Sequence, residues 1–111
     1  MFKTPGRETI KVVMISDLHL DYGYTVGASA DCGKPLCCRN DSGKPTKAED
    51  AAGKWGDYRC DLNEATYLSL MSFVKDEIKP DVILWGGDSI PHNLDSLTFE
   101  SNVEIMKNVT R

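Results

Sequence analysis

All four cysteines of this chain, Cys32, Cys37, Cys38 and Cys60, fall inside one polar stretch between Asp21 and Asp61 that sustains no hydrophobic period. Connections longer than about 12–15 residues without structure of their own are uncommon in compact domains. A stretch of this length, rich in Gly, Pro, Asp and Lys, therefore needs a clamp, and disulfides in an oxidising compartment supply one. Zinc is the rival clamp. Structural zinc sites usually draw ligands from two spaced cysteine pairs, whereas here two cysteines are adjacent and only one other pair is closely spaced. Four cysteines allow three connectivities. Joining the neighbours Cys37 and Cys38 would strain the ring, which leaves two.

Outside this loop the pattern is regular. Ile10–Ile15 reads as a short β-branched run suited to a buried strand, and it ends at Ser16-Asp-Leu-His19. Asp61, with Glu64 three residues later, has the spacing of a capping box. Tyr67, Leu70, Met71, Val74 and Ile78 then recur on one helical face. Pro80 ends that helix. Asp81–Trp85 reads as a second buried strand, followed by Gly86-Gly-Asp88, and a last helix is expected over Leu97–Val109. The order strand, long loop, helix, strand, helix describes an α/β chain whose two strands pair in parallel through a right-handed crossover. Both strands then finish at the same edge, where open α/β sheets bind ligands.

The residues at that edge suit a metal. In an extended segment Asp17 and His19 would point to one side, and Asp88 would arrive from the neighbouring strand end. Gly86 and Gly87 would let the backbone approach an ion or a phosphate. Carboxylate and imidazole donors favour zinc, iron or manganese over thiolate-preferring ions. Two such ions about 3.5–4 Å apart would activate water and neutralise phosphoryl charge. His92 follows Asp88 by four residues, and an imidazole there could protonate a leaving oxygen. Trp55 and Trp85 read as packing aromatics, and Asp41, Glu49 and Asp50 as a solvated loop face.

Composition limits the alternatives. The 111 residues allow one domain or part of one, with 41% hydrophobic and 27% charged residues. A net charge of −4 argues against a surface for polymeric nucleic acid, which needs clustered Lys and Arg. No apolar run approaches the roughly 20 residues that cross a bilayer, so contact with a membrane would come only through a lipid substrate. The polar start Met1–Glu8 has no apolar core of a secretory signal, yet the cysteines suit an oxidising compartment. Asn40-Asp-Ser42 and Asn108-Val-Thr110 match glycosylation acceptors. The expectation is a secreted or lysosomal chain whose signal sequence lies outside these residues.

Four runs carry a resemblance. Ile15-Ser-Asp-Leu-His19, Asp31-Cys-Gly-Lys-Pro-Leu-Cys-Cys-Arg39, Trp55-Gly-Asp-Tyr-Arg-Cys-Asp61 and Trp85-Gly-Gly-Asp-Ser-Ile-Pro-His92 resemble acid sphingomyelinase and the acid-sphingomyelinase-like phosphodiesterases. The resemblance spans about Lys11 to Asn93. It implies a calcineurin-like metallophosphoesterase with two zinc ions in a βαβ sandwich. Asp17 and His19 would bind one zinc, Asp88 would bridge both, and His92 would stand near the leaving group. It also implies the pairings Cys32–Cys37 and Cys38–Cys60. The family usually reads Gly-Asp-Ile-Pro-Ala-His where this chain has Gly87-Asp-Ser-Ile-Pro-His92. The family's Gly-Asn-His-Glu motif and later histidines have no counterpart here, because the chain has two histidines in all.

Residues 1–111 thus read as the N-terminal part of one metallophosphoesterase catalytic domain, with residues 21–61 as a cysteine-rich insertion. The remainder of that domain is its expected partner, and a lipid or nucleotide phosphodiester is its expected substrate. Taken alone, the chain is expected to be inactive and poorly stable, with an uncovered sheet. Two rival readings are a non-catalytic secreted module held by its disulfides, and a cytosolic α/β domain with reduced cysteines.

Overall fold

The computed structural model describes residue 6, residues 8–94 and residues 97–110. Among them are two strands and two main helices: β1 (Val12–Ile15), α1 (Glu64–Phe73), β2 (Val82–Trp85) and α2 (Phe99–Val109). The class is mixed α/β. β1 and β2 pair in parallel, with Val12 opposite Val82 and Ile15 opposite Trp85. The expected strand pairing is therefore present.

Burial of the strands is not. Every residue of β2 is exposed, as are Val12 and Met14 of β1. Met14 is 73% and Leu84 53% exposed. A parallel sheet normally has both faces covered, and its continuous apolar runs reflect that. Two strands among the described residues lack the neighbours that would do so. The interior instead gathers at the ends of the strands. Leu18, Leu20 and Tyr67 form a buried cluster, with Ile15, Leu62, Met71 and Val109 packed against it. Tyr67 completes the attachment of α2 by donating its hydroxyl to the Val109 carbonyl at 3.2 Å.

α1 starts later than the sequence suggested. Its N-cap is Asn63, whose side chain accepts from the Thr66 amide at 3.1 Å; Asn63 also donates to the Lys54 carbonyl at 2.7 Å. Asn is among the best N-caps, and it ties the helix start to the loop before it. The Asp61–Glu64 capping box does not form, because Asp61 is engaged elsewhere. Beyond Phe73 the helix runs on as a π-turn, Val74–Ile78, and closes at Lys79, which adopts φ 50° just before Pro80. α2 is capped at Thr98 by a reciprocal Thr98–Ser101 pair and begins at Phe99, two residues inside the expected span.

The long loop has a small core of its own. Disulfides join Cys32 to Cys37 and Cys38 to Cys60, the pairing that the family resemblance implies. Cys38, Ala30 and Ala52 are buried together against Tyr24 and Cys60. Backbone bonds from Cys38 to Ser29 (2.9 Å) and from Ala52 to Ala28 (2.8 Å) cross the loop. Two arginines complete it through three ion pairs. Arg39 pairs with Asp21, whose side chain is 3% exposed. The Arg39 guanidinium lies where a Cβ on Gly23 would collide with it, so a side chain there would have to push it away from Asp21. Arg59 bonds Asp50 at 2.7 Å and Asp57 at 3.0 Å, which holds the Asp57 carboxyl below the ordinary carboxylate range. Asp50 is therefore part of the loop's interior rather than its solvated face. Asp41 fits the solvated reading, bonded to Lys34 at the surface.

Replacing Cys38 and Cys60 by serine removes the wider of the two covalent links and should cost about 2–4 kcal/mol of stability. A lowered urea midpoint relative to the oxidised wild-type chain would register this, whereas an unchanged midpoint would mean that the Cys32–Cys37 link, the ion pairs and the cross-loop backbone bonds hold the loop without it.

Candidate metal centre

β1 and β2 do not simply stop; their hydrogen-bonded run continues into the two following loops. The amides of Asp17, His19 and Leu20 donate to the carbonyls of Gly87 (3.0 Å), Asp88 (3.3 Å) and Ser89 (2.9 Å). On its other side the same segment meets the start of α1, with Asp21 N–H donating to Leu62 O at 2.9 Å and Leu20 bridged to Leu62 in parallel. Leu20 is fully buried and acts as the pin between them.

Within this frame Asp17, His19 and Asp88 converge. Each offers one ligand atom, and these atoms lie within 4.8 Å of one another; His19 Nε2 is 3.6 Å from an Asp88 carboxylate oxygen. The convergence does not come from an extended Asp-x-His segment as expected. Asp17, His19 and Asp88 have φ of 56°, 42° and 53°, the left-handed region that is costly for residues with a side chain. Such strain concentrates at functional sites, where the surrounding structure enforces it. Here the enforcing groups are the cross-loop hydrogen bonds, which turn all three side chains toward one point.

The donor chemistry fits a cation. His19 Nδ1 lies 2.9 Å from the Ile90 carbonyl. A carbonyl only accepts, so Nδ1 carries the proton and Nε2, beside Asp88, keeps its lone pair for a ligand. Ser16 donates its hydroxyl to Asp17 and so orients that carboxylate. The closeness of Gly86 serves the protein rather than a bound ion: a Cβ there would sit 2.6 Å from Ser16 Oγ.

His92 stands beside the cluster. Its ring centroid is 4.2 Å from that of His19, tilted by 30°, and its side chain is 60% exposed. Asp61 holds it twice, accepting from the His92 backbone amide at 2.7 Å and lying 2.8 Å from Nδ1. An ionised carboxylate can only accept, so Nδ1 carries its proton and Nε2 is left for external chemistry. Asp61 was missed as a site residue because its spacing to Glu64 fits a helix cap equally well. The clue available in the sequence was its place next to Cys60. Trp55, expected to pack, is instead 62% exposed, on the same loop.

No defined protein-family profile matches the chain, but individual relatives do. It is 40% identical to sphingomyelin phosphodiesterase B of Dictyostelium discoideum over 96% of its own length and 17% of that protein's. Against sphingomyelin phosphodiesterase of Bos taurus it is 36% identical over 90% of its length and 16% of the relative's. Against acid sphingomyelinase-like phosphodiesterase 3b of Mus musculus the figures are 45%, 70% and 16%. The chain belongs to the acid sphingomyelinase family. It spans about one-sixth of the length of these relatives.

If Asp61 orients His92, Asp61→Ala should free the ring and mix its tautomers. Long-range nitrogen NMR of the wild-type chain, recorded at a pH where the ring is neutral, should show predominantly the Nδ1–H tautomer. The same pattern in Asp61→Ala would show that the contact positions nothing.

Proposed function

We propose that this chain supplies part of the active site of a metal-dependent phosphodiester hydrolase of the sphingomyelinase type, acting on sphingomyelin or another phosphodiester. The observation that supports this most directly is the convergence of Asp17, His19 and Asp88 with His92 stacked against His19. The names of the relatives add to it, since they are sphingomyelin phosphodiesterases.

Two carboxylates and an imidazole suit a borderline divalent ion such as zinc. Bound there, the ion would supply Lewis-acid charge at the phosphoryl group and lower the pKa of a water. The chain's own residues account for the rest. Asp17 and Asp88 offset the charge of the ion, and the Ile90 carbonyl keeps His19 in the ligating tautomer. In its doubly protonated form His92 would give the Nε2 proton to the departing oxygen, while its Nδ1 proton stays hydrogen-bonded to Asp61, which fixes the ring. Asp88, whose side chain is 58% exposed, is the one suited to bridge a second ion. The other ligands of that second ion would come from outside these residues, as would the strands and helices that cover β1 and β2 in a complete metallophosphoesterase sandwich. The two disulfides support a secreted or lysosomal location, and Asn40, exposed on the loop, and Asn108, on α2, are its candidate glycan acceptors.

Zinc titration of the chain by calorimetry should show binding that weakens by at least about tenfold in Asp17→Asn and Asp88→Asn, by the logic that each donor holds the ion directly. Absence of zinc binding would remove the metal reading. The chain alone should not hydrolyse bis(p-nitrophenyl) phosphate with zinc present; turnover would show that three donors suffice. In the complete enzyme, His92→Ala should lower kcat by about 10²–10⁴-fold, the usual contribution of a positioned acid.

A further inference from the structure

Ser16 orients Asp17, and the Ile90 carbonyl orients His19. The Asp88 carboxylate, by contrast, is 58% exposed and stands 3.6 Å from His19 Nε2. Its place depends on the backbone turn that carries it. Gly87 and Asp88 are consecutive left-handed residues, with φ of 92° and 53°, and for a residue with a side chain that conformation must be held. The turn leaves β2 at Gly86, whose amide donates to the Ile15 carbonyl at 2.7 Å.

A side-chain hydrogen bond spans this turn. Trp85 Nε1 donates to Ser89 Oγ at 3.0 Å, joining the last residue of β2 to the residue after Asp88. Ser89 is 3% exposed, so the chain turns Asp88 outward where it buries the next side chain. A hydroxyl buried to that extent needs a partner, and an indole N–H, which only donates, supplies one. The Ser89 carbonyl in turn accepts from the amide of the buried Leu20 at 2.9 Å. Ser89 is thus tied through its hydroxyl to β2 and through its carbonyl to the segment that carries Asp17 and His19. Trp85, expected only to pack, is 36% exposed, and this bond is its most specific contact. Ser89 also stands where the usual family run Gly-Asp-Ile-Pro-Ala-His has isoleucine, which has no oxygen to accept the indole proton.

We propose that Ser89 and Trp85 are positioning residues, whose hydrogen bond closes the turn around Asp88 and fixes the place of its carboxylate. The inference rests on the metal reading of Asp17, His19 and Asp88. With the bond made, the third donor is in place before an ion arrives, and less ordering is left to be done on binding. With the bond lost, the turn relaxes, because Gly87 restricts the chain little. One donor then moves away while the other two stay.

The test is zinc titration by calorimetry of the wild-type chain, Ser89→Ala, Trp85→Phe and the double variant, with the urea midpoint of each. Ser89→Ala frees an indole N–H that water can reach on the half-exposed Trp85. Its midpoint should therefore stay near that of the wild type, while its zinc affinity falls about tenfold, the usual effect of losing an outer-shell partner. Trp85→Phe should weaken zinc binding similarly. The double variant should lose no more than the weaker-binding single variant, because both changes remove one bond. Amide hydrogen exchange without zinc gives a second readout. The His19 and Leu20 amides should exchange faster in Ser89→Ala, while those of Cys38 and Ala52 in the disulfide loop keep their wild-type rates. Unchanged zinc affinity in Ser89→Ala would overturn the proposal, as would effects of the two single variants that add in the double. A loss of affinity accompanied by a lowered midpoint and faster exchange throughout would overturn it in favour of general loosening. Zinc binding that Asp88→Asn weakens and Ser89→Ala does not removes this inference alone, whereas a wild-type chain that binds no zinc removes the metal reading and this inference with it.

Discussion

The backbone run from Asp17 to Asp21 is bonded on one side to Gly87, Asp88 and Ser89 and on the other to Leu62. Most of the described structure depends on that double attachment. With Leu20 buried at its centre, the segment joins the ends of both strands to the start of α1. It also drives three side-chain-bearing residues into left-handed conformations that are a minor population in a free chain. The local cost is offset by these cross-loop hydrogen bonds, beside which Leu20 and Ser89 are buried. The result is that two carboxylates and one imidazole face each other across adjoining loops.

The disulfide loop is connected to this frame at both ends. Asp21 opens it, holding Arg39 from a buried position, and Cys60 closes it next to Asp61, the residue that grips His92. A covalent link at Cys38–Cys60 thus stands one residue away from the carboxylate that orients the candidate acid. Scaffold and chemistry are not separate regions of this chain. The loop that looks like an insertion in the sequence supplies the orienting carboxylate as well.

The exposed strands give the opposite impression. Apolar residues on β1 and β2 face solvent on a sheet of two strands, a state that costs about 25 cal/mol for each Å² of apolar surface left in water. The ordered, well-bonded part of the chain lies at the carboxyl edge of the sheet and in the disulfide loop, while the sheet itself is the least covered element. That distribution agrees with a chain matching about one-sixth of its relatives' length.

The sequence by itself determined the elements and the chemistry. Short β-branched runs, an apolar face interrupted by Pro80 and paired Asp/His motifs at strand ends made the α/β order and the candidates Asp17, His19, Asp88 and His92 legible. These are local patterns, set by side-chain periodicity and by residue type. Tertiary structure decided what depends on contacts between distant residues. It gave Asp61 to His92 rather than to the helix, made Asn63 the cap, drew Asp50 into the loop's interior through Arg59 and turned Trp55 outward. It also replaced an extended Asp-x-His geometry with left-handed turns. A carboxylate near a helix start has several nearly equal local partners, and only the position of a ring thirty-one residues away decides which one it takes.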